Sequence, residues 1–547
     1  MKKTKIVCTI GPASQDGNIL EKLILNGMDV ARINTSHSSE DEVIRLFNLI
    51  RSISKKHAKN TAVMIDLRGP KIRIGKLAED IFLSDGQEII FFTGNGNNKV
   101  TPVLVPKKIA VTDMADRTVS GSKFENSSKF PLNIIESINI NPEKTPGMEK
   151  DKKVEPVSLL AVEKFSGETE IGASVSRIPV DYPYFLNDIK KGCTVFIDDG
   201  LIECRISRID PDSRIAMASV IKGGLLKSGK GINLPGLSLS VNSVTERDLY
   251  FLDLAIKLNS DFVAQSFIRT PDDLKIIKGR ILKSSSSIFL IAKIEKHEAV
   301  QNFDSILELA DGIMVARGDL GIELPAEDVP SIQKQIIKKT NIVGKPVITA
   351  TQMLDSMIRN PRPTRAEVSD VANSILDGSD ALMLSGETAA GKYPVEALQM
   401  MVKIIGRTEE NIDYEDVLQK KFLVKHKTIT ESISLAACEI ATVLNAKAII
   451  TATQSGSTAR QVSKNKPKSF IIGASPDESV VRQLMISWGV IPEKTRFQEN
   501  VNEMIAEVIR TSKNLKLIEK NDRVVITGGI LVSKPGNTNF LHVKEID

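Results

Sequence analysis

The chain of 547 residues has few cysteines, little net charge and no long apolar run. Its four cysteines (Cys8, Cys193, Cys204 and Cys438) have no metal-ligand spacing and give no sign of a disulfide framework. A formal net charge of +5 is small for this length, so we expect no nucleic-acid partner. No apolar stretch reaches the roughly 20 residues of a membrane-spanning helix.

The chain begins directly with a strand-like pattern, which leaves no room for a signal peptide. We therefore expect a cytoplasmic location with reduced cysteines. The composition, 41% hydrophobic and 26% charged, is ordinary for a globular protein, and the length predicts two to four domains.

Short apolar runs alternate with helical patterns in two separate stretches of the chain. Strands and helices that alternate in this way predict a parallel (β/α)8 TIM barrel. The eight predicted strands are residues 5–10, 30–33, 62–67, 262–267, 288–294, 313–316, 346–351 and 381–384. The gap after the third run predicts that another domain interrupts the barrel there.

We predict an α/β protein with three parts. The barrel takes residues 1–73 and 236–410, and a small β-rich lid takes residues 74–235. A doubly wound α/β domain takes residues 411–547, with strands at 447–453, 470–474 and 524–527 and a helix at 429–444. Within the insertion, residues 120–155 are rich in Ser, Asn, Lys, Pro and Glu, which predicts a mobile stretch.

Three charged residues stand at the ends of the fifth and sixth predicted barrel strands: Lys293, Glu295 and Asp319. The carboxyl ends of neighbouring barrel strands share one face, so these side chains should converge. Two carboxylates suit a divalent cation such as Mg²⁺, and a neighbouring lysine suits a phosphate or an oxyanion. The alternative interpretation is a pair of solvated ion pairs.

Polar and charged residues also follow four other predicted strands, and they should ring the same mouth. They are Arg32, Asn34, Ser36, His37, Asp66, Arg68, Lys71, Arg73, Thr351, Ser385 and Glu387. Arginine offers phosphate oxygens a fork of donors that lysine lacks. The sequence therefore predicts a phosphate-binding mouth.

Six ordered segments resemble the pyruvate kinase family, and together they cover the barrel almost from end to end. They are 5–14 (KIVCTIGPAS), 230–236 (KGINLPG), 292–298 (AKIEKHE), 314–321 (MVARGDLG), 350–354 (ATQML) and 383–388 (MLSGET). The C-terminal part resembles the family more loosely. The resemblance implies an enzyme that converts phosphoenolpyruvate and ADP into pyruvate and ATP.

The resemblance also implies roles for individual residues. Glu295 and Asp319 would hold Mg²⁺ or Mn²⁺, and Lys293 would neutralise the moving phosphoryl group and the enolate. The backbone of Ala316, Arg317, Gly318 and Asp319 would bind the substrate carboxylate. Arg32 and Arg73 would bind phosphoryl oxygens, while Arg32, His37 and Lys230 would face the nucleotide. Thr351 would stand beside the carbon that is protonated, in a relay with Ser385 and Glu387.

A monovalent-cation site of the family corresponds to Asn34, Ser36, Asp66 and the carbonyl of Leu67. Potassium-requiring members carry a glutamate where this chain has Lys71, and usually a threonine in place of Leu67. A tethered ammonium can supply the charge of the ion, so we expect activity without potassium. The alternative is that Lys71 is an ordinary surface lysine.

Residues 453–458 follow a predicted strand and match the family's loop for a phosphorylated effector. The candidate residues are Thr453, Ser455, Gly456, Ser457 and Thr458. Hydroxyl and N–H groups at the start of a helix can bind an anion, although the same sequence also suits a plain helix cap. The identity of an effector stays open.

The insertion is longer than the family usually carries, mainly through an extra loop at about 107–171, which is a passive loop or a partner-binding element. The resemblance further implies a homotetramer. Two other functions stay open: a different magnesium barrel, such as an aldolase or a phosphoenolpyruvate mutase, and a degenerate regulatory subunit.

Overall fold

The computed structural model describes residues 2–36, 38–93, 175–423, 428–529 and 538–547. His37, the stretch at 120–155 and the extra loop at about 107–171 lie outside these residues. In chain order the strands are β1 (Lys5–Ile10), β2 (Val30–Asn34), β3 (Ala62–Leu67), β4 (Ile81–Leu83), β5 (Glu88–Phe92), β6 (Ser176–Pro179), β7 (Thr194–Ile197), β8 (Ile202–Asp210), β9 (Ile215–Lys222), β10 (Gly224–Leu226), β11 (Ile232–Asn233), β12 (Phe262–Gln265), β13 (Phe289–Ile294), β14 (Gly312–Ala316), β15 (Val347–Ala350), β16 (Ala381–Leu384), β17 (Ala448–Ala452), β18 (Phe470–Ser475), β19 (Val490–Lys494), β20 (Arg523–Gly528) and β21 (Phe540–Glu545).

The α-helices follow the same numbering along the chain. They are α1 (Gly17–Leu25), α2 (Glu40–Lys56), α3 (Phe185–Asp188), α4 (Glu246–Lys257), α5 (Pro271–Lys283), α6 (His297–Gln301), α7 (Phe303–Leu309), α8 (Arg317–Glu323), α9 (Val329–Val343), α10 (Arg365–Leu376), α11 (Gly386–Ala389), α12 (Pro394–Glu410), α13 (Tyr414–Phe422), α14 (Ile429–Val443), α15 (Ser457–Ser463), α16 (Glu478–Gln483) and α17 (Val501–Asn514). Two 3-10 turns cover Asp355–Ile358 and Leu484–Ile486.

The predicted parallel barrel is confirmed. Its strands close in the order β1-β16-β15-β14-β13-β12-β3-β2, and each neighbouring pair is parallel. Capping boxes fix the starts of the barrel helices α4 and α10, because Thr245 and Thr364 exchange hydrogen bonds with the third helical residue. The barrel strands are buried on both faces, which explains their unbroken apolar runs.

Two barrel strands are shorter than the sequence predicts, and the backbone explains why. The run predicted at 262–267 ends at Gln265, and the run predicted at 346–351 ends at Ala350. Phe267 (φ +58°), Thr351 (φ +76°) and Gln352 (φ +56°) adopt left-handed conformations that a strand cannot contain. Such strained residues concentrate at functional sites, and these three lie at the carboxyl end of the barrel.

The β-rich insertion after β3 is also confirmed. It holds a six-stranded mixed sheet in the order β11-β7-β8-β9-β5-β6 and a separate pair of β4 and β10. Its core contains the rings of Phe91 and Phe185, packed edge to face at 5.6 Å. Ile72 and Leu237, from the two chain segments that connect the insertion to the barrel, also pack in this core.

The C-terminal α/β domain is confirmed with additions. Its sheet runs β19-β18-β17-β20-β21; the first four strands are parallel, and β21 pairs antiparallel at the edge. The strands β19 and β21 were not predicted. Ile486, in the second 3-10 turn, packs into the cluster of side chains that fills the barrel interior. The C-terminal domain thus closes the floor of the barrel, opposite to its mouth.

Candidate functional site at the mouth of the barrel

Lys293 is buried near the end of β13 and lies among oxygen atoms from three neighbouring strands. Its Nζ is 2.7 Å from Ser266 Oγ, 2.8 Å from Glu295 Oε1 and 3.4 Å from Asp66 Oδ1. Burial acts to lower the pKa of Lys293, but the two carboxylates outweigh it and hold the pKa above its ordinary value. Lys293 is therefore a fixed positive charge inside the mouth.

Glu295 follows β13 directly and is 1% exposed. Its Oε2 accepts a hydrogen bond of 2.9 Å from the N–H of Phe267, whereas Oε1 is buried without a hydrogen bond and has only the ion pair with Lys293. Burial and the charge of Asp319 raise the pKa of Glu295, while Lys293 opposes the shift. A buried carboxylate oxygen with spare capacity fits a divalent cation.

Asp319 stands in the first turn of α8, which begins directly after β14. Its charge acts on the pKa of both Glu295 and Lys293, so the structure brings the three predicted residues together. A Cβ added to Gly318 would lie 2.6 Å from Thr351 Cγ2. The glycine thus allows the start of α8 to approach the loop after β15.

Arg32, on β2, is the second buried cation of the mouth. Its Nε donates to Asp66 Oδ2 at 2.6 Å, and its Nη1 donates to Thr9 Oγ1 at 2.9 Å. Burial acts to raise the pKa of Asp66, but Arg32 and Lys293 outweigh it and lower the pKa. Asp66 therefore stays ionised and holds both cations in place.

Arg73 and Lys230 lie where the chain passes between the barrel and the insertion. Arg73 Nη1 donates to the carbonyl of Gly229 at 2.6 Å, and Lys230 Nζ pairs with Asp198 at 2.9 Å. Asp198 begins the 198–200 segment that resembles part of the family's lid. These two cations therefore lie at the junction of the barrel and the insertion rather than in the cluster around Lys293.

The side chain of Arg317 holds the backbone of the neighbouring loop. Its guanidinium pairs with both oxygens of Asp370 at 2.7 Å and donates to the carbonyls of Ala350 and Thr351 at 3.3 and 2.9 Å. Ala350 is the last residue of β15, and Thr351, directly after it, adopts a left-handed conformation. Arg317 thus fixes Thr351 through its backbone.

Ser385 and Glu387 follow β16. Both carboxylate oxygens of Glu387 accept backbone hydrogen bonds, Oε1 from the N–H of Leu354 at 2.9 Å and Oε2 from the N–H of Ser385 at 2.7 Å. Burial raises the pKa of Glu387, which these N–H groups oppose. The residue therefore ties the loops after β15 and β16 together.

A cavity of about 1030 Å³ opens beside these residues. Its lining includes Lys71, Asp199, Arg317, Gly318, Asp319 and Thr351. Residues from the barrel strands, from α8 and from the insertion thus share one space, and that space has the size of a small-molecule site.

The residues of the predicted monovalent-cation site lie around β2 and β3. The side chain of Asn34 accepts a hydrogen bond of 3.0 Å from the N–H of Ser36, Leu67 is buried, and Asp66 is paired as described above. Lys71 is exposed, and its Cε would lie 3.1 Å from a Cβ at Gly231. Its side chain therefore lies at the junction of the barrel and the insertion and lines the cavity.

The predicted effector loop joins β17 to α15. Gly456 has a left-handed backbone (φ +77°), Thr458 Oγ1 bonds to Thr538 Oγ1 at 2.8 Å, and Arg460 donates to the carbonyl of Ser455 at 2.9 Å. Thr453 is buried, while Ser455 and Ser457 are half-buried. The loop is held by its own contacts, at a distance along the chain from the mouth.

Sequence reasoning missed Ser266, which accepts the shortest hydrogen bond of Lys293. The sequence contained an indication of this role, because Ser266 directly follows the barrel strand β12 just as Glu295 directly follows β13. Phe267 was also missed as the donor to Glu295. Its role depends on a left-handed backbone, for which a phenylalanine carries no sequence signal.

The fold and the mouth define the class: a barrel enzyme with an inserted β domain and a buried cationic and acidic site suited to phosphoryl transfer. The chain matches the family "Pyruvate kinase, barrel domain" over residues 1–121 and 141–398, and "Pyruvate kinase, alpha/beta domain" over 431–544. The chain belongs to the pyruvate kinase family, whose reaction forms pyruvate and ATP from phosphoenolpyruvate and ADP.

Individual proteins similar to this chain are also pyruvate kinases. The chain is 38% identical to pyruvate kinases of Staphylococcus aureus (strain MRSA252) and Geobacillus stearothermophilus, over 99% and 100% of its own length and 80% of theirs. A crystal structure of a pyruvate kinase from Cryptosporidium parvum superposes with a TM-score of 0.80 at 31% identity, covering 100% of this chain and 96% of that one. These findings favour pyruvate kinase over the aldolase, mutase and regulatory alternatives.

Within the described residues, we find no helix with the length and hydrophobicity to span a membrane.

Proposed function

We propose that the pyruvate kinase reaction of this chain takes place around Lys293, Glu295 and Asp319, with Mg²⁺ or Mn²⁺ as the divalent cation. The observations that support this most are the contact of 2.8 Å between the buried Oε1 of Glu295 and the ammonium of Lys293, and the charge of Asp319 acting on both groups. Glu295 and Asp319 would hold the cation, which when bound neutralises charge on the phosphoryl group.

The protein groups supply positioning and charge, which is what phosphoryl transfer requires. The ammonium of Lys293 would stabilise the enolate oxygen that remains after transfer. Arg32 and Arg73 would bind phosphoryl oxygens, and Arg32, His37 and Lys230 would face the nucleotide. The backbone of Ala316, Arg317, Gly318 and Asp319 would bind the carboxylate of phosphoenolpyruvate.

For the protonation of enolpyruvate, we propose that Thr351 stands next to the reacting carbon. Ser385 and Glu387 complete this part of the site. Both oxygens of Glu387 already accept backbone N–H groups, so we assign it the task of positioning Ser385 and the loop after β15.

The experiment is pyruvate formation from phosphoenolpyruvate, ADP and Mg²⁺ by the wild type and by Glu295→Gln. We expect the variant to lose at least about 10²-fold in kcat, because a neutral amide neither holds the cation nor pairs with Lys293. The matched control is Glu298→Gln, three residues further on, which should keep nearly full activity. Equal activity of wild type and Glu295→Gln would exclude this assignment.

We further propose that Lys71 replaces a potassium ion, and that the monovalent-cation site of Asn34, Ser36, Asp66 and Leu67 is not required to be filled. The position of Lys71 on the cavity wall supports this. Wild-type activity should be equal in potassium and in tetramethylammonium, and Lys71→Glu should become potassium-dependent. Lys76→Glu, at an exposed lysine nearby, is the control. A several-fold fall of wild-type activity without potassium would contradict the proposal.

We also propose that Thr453, Ser455, Gly456, Ser457 and Thr458 bind a phosphorylated effector. A panel of sugar phosphates and nucleotides should contain a compound that shifts the KM for phosphoenolpyruvate. Ser457→Asp should abolish that shift while it leaves kcat unchanged, because the added charge repels the phosphate. A shift that persists in this variant would place the effector elsewhere.

Three remaining proposals concern the molecule as a whole. We propose the domain boundaries 1–73 with 236–410, 74–235 and 411–547, a homotetramer, and a cytoplasmic location. The free thiols of Cys8, Cys193, Cys204 and Cys438 suit a reducing compartment. Sedimentation of the purified chain at several concentrations tests the tetramer.

A further inference from the structure

A second buried ion pair, outside the residues assigned so far, lies behind the proposed cation site. Lys296 Nζ is 2.5 Å from Glu323 Oε1, and the two residues are only 6% and 8% exposed. Burying two charges is costly, and apolar residues of similar size would often do as well. The pair therefore calls for an explanation beyond general stability.

Lys296, the cation of this pair, contacts Phe267, the residue that donates a hydrogen bond to Glu295. Lys296 follows Glu295 in the chain, and its Nζ lies 5.1 Å from the ring centroid of Phe267. The N–H of Phe267 is the hydrogen-bond donor to Glu295 Oε2, and it points there because Phe267 has φ +58°. The cation–π contact with Lys296 thus supports a strained residue that orients a carboxylate.

Glu323, the anion of this pair, lies in α8, the helix that contains Asp319. Glu323 is the last residue of α8, and Asp319 stands in its first turn. Burial raises the pKa of Glu323, Lys296 opposes the shift, and the charge of Asp319 adds to it. Because α8 has only seven residues, a tie at its last residue also restrains its first turn.

We propose that Lys296 and Glu323 are positioning residues that set the spacing between Glu295 and Asp319, and that divalent-cation affinity depends on this tie. The inference deepens the proposed cation site and rests on it. Groups that orient metal ligands from outside typically contribute about 10- to 100-fold to metal affinity.

A positioning tie and a simple electrostatic field make opposite predictions. If only the field acted, the loss of the Lys296 charge would strengthen cation binding and the loss of the Glu323 charge would weaken it. Removal of both charges would then restore the wild-type affinity. If the pair acts as a tie, each single variant weakens binding, and the double variant binds no better than the single ones.

The experiment measures Mn²⁺ binding to the nucleotide-free protein from the loss of the free-ion electron paramagnetic resonance signal, a readout independent of activity. The variants are Lys296→Met, Glu323→Gln and the double variant. We expect the Mn²⁺ Kd to rise about 10-fold or more in all three. Lys296→Arg, which keeps a cation that can donate to Glu323, should bind more tightly than Lys296→Met.

The matched control is Lys278→Met. Lys278 Nζ contacts both carboxylate oxygens of Asp311 at 2.7 and 2.6 Å, but Asp311 precedes β14, at the opposite end of that strand from Asp319. Loss of this pair should leave the Mn²⁺ Kd unchanged. Circular dichroism of each variant checks that it is folded, and the arginine variant provides the comparison if the methionine variant does not fold.

The proposal would be overturned if the Mn²⁺ Kd moved in opposite directions in the two single variants, or if the double variant had the wild-type Kd. It would also be overturned if no variant changed the Kd, or if Lys296→Arg bound Mn²⁺ no better than Lys296→Met. Glu295→Gln and Asp319→Asn are measured in the same assay. If these two leave Mn²⁺ binding intact, the proposed cation site itself fails; if they abolish it while the Lys296 variants bind normally, only the positioning role fails.

Discussion

At the mouth of the barrel, Lys293 lies among the oxygens of Ser266, Glu295 and Asp66. At the floor, Lys3 lies against aromatic rings, with its Nζ 4.1 Å from the ring centroid of Tyr414 and 5.2 Å from that of Trp488. Both ends of one barrel therefore bury ammonium groups, but their surroundings differ.

The difference appears in the direction of the pKa shifts. Carboxylates hold the pKa of Lys293 above its ordinary value despite burial, whereas burial lowers the pKa of Lys5, on the floor, to about 8. Lys5 donates to the carbonyl of Val490 at 2.6 Å, and the charges of Asp29 and Glu409 offset only part of its desolvation. The mouth keeps its buried ammonium charged, while the floor uses polar groups to join two domains.

The floor joins the barrel to the C-terminal domain through shared charges. Asp261 is 1% exposed and accepts from Arg51 at 2.7 Å on one oxygen and from Arg482, in α16, at 2.7 Å on the other. Lys466 pairs with Asp380 at 2.6 Å. Asp261 thus has a guanidinium on each oxygen, one from each domain, whereas Glu295 at the mouth is paired with the single ammonium of Lys293.

The largest effect is expected from the mouth. Lys293→Met should lower kcat by roughly 10²–10⁴-fold, because the enolate and the phosphoryl group lose their fixed positive charge. Its melting temperature should also fall, because the buried carboxylates of Asp66 and Glu295 lose a counter-charge, so kcat is compared per folded molecule. The assay is pyruvate formation at saturating substrates, and normal turnover would exclude the role of Lys293.

At the floor, we expect a loss of stability without a loss of kcat. Asp261→Asn should lower the free energy of unfolding by about 3 kcal/mol, because two half-buried arginines lose the buried carboxylate that they share, while kcat per folded molecule stays near the wild type. Denaturant unfolding measures this. Asp272→Asn, at an exposed pair with Lys275, is the control and should change stability by less than about 1 kcal/mol. A large fall in kcat at full folding would contradict the contrast between the ends.

A steric change at the mouth should have a smaller effect. Gly318→Ala places a methyl group 2.6 Å from Thr351 Cγ2, so α8 or the loop after β15 must move. We expect roughly a 10- to 100-fold loss in kcat, as small misplacements of catalytic groups produce. Gly321→Ala, in the same helix with open space around it, is the matched control. Equal activity of the two variants would show that this close approach is not required.

The smallest expected effect is the pH dependence of stability that Lys5, at the floor, contributes. The pKa of Lys5 is lowered from 10.5 to about 8 in the folded state, so the unfolded chain binds more protons between these values. The contribution of Lys5 to stability is therefore fully present above 10.5, its pKa in the unfolded chain, and is lost as the pH falls through about 8. Lys5 should contribute a gain of about 1 kcal/mol between pH 8 and pH 9, since one pKa unit corresponds to about 1.4 kcal/mol.

The variant for this test is Lys5→Met, which should lose that pH dependence, with the exposed Lys59→Met as the control. Denaturant unfolding at several pH values gives the slopes. Parallel slopes in the wild type and Lys5→Met would show that Lys5 is not the group responsible.

Much of the fold was predictable because each barrel strand is buried on both faces and therefore appears as a short apolar run between helical patterns. The predicted residues Lys293, Glu295 and Asp319 do lie together, because parallel strands bring their carboxyl ends to one face. The ends of β12 and β15 were not predictable. Their left-handed residues Phe267 and Thr351 are types that ordinarily avoid this conformation.

The sequence by itself determined the barrel, the place of its insertion, the family and the charged residues at the strand ends, since these depend on local periodicity and ordered motifs. Only the tertiary structure decided which oxygens surround Lys293, that Glu295 keeps one oxygen without a hydrogen bond, and that Lys296 pairs with Glu323. Those outcomes depend on side-chain direction and burial across strands and helices distant in sequence, which local patterns do not contain.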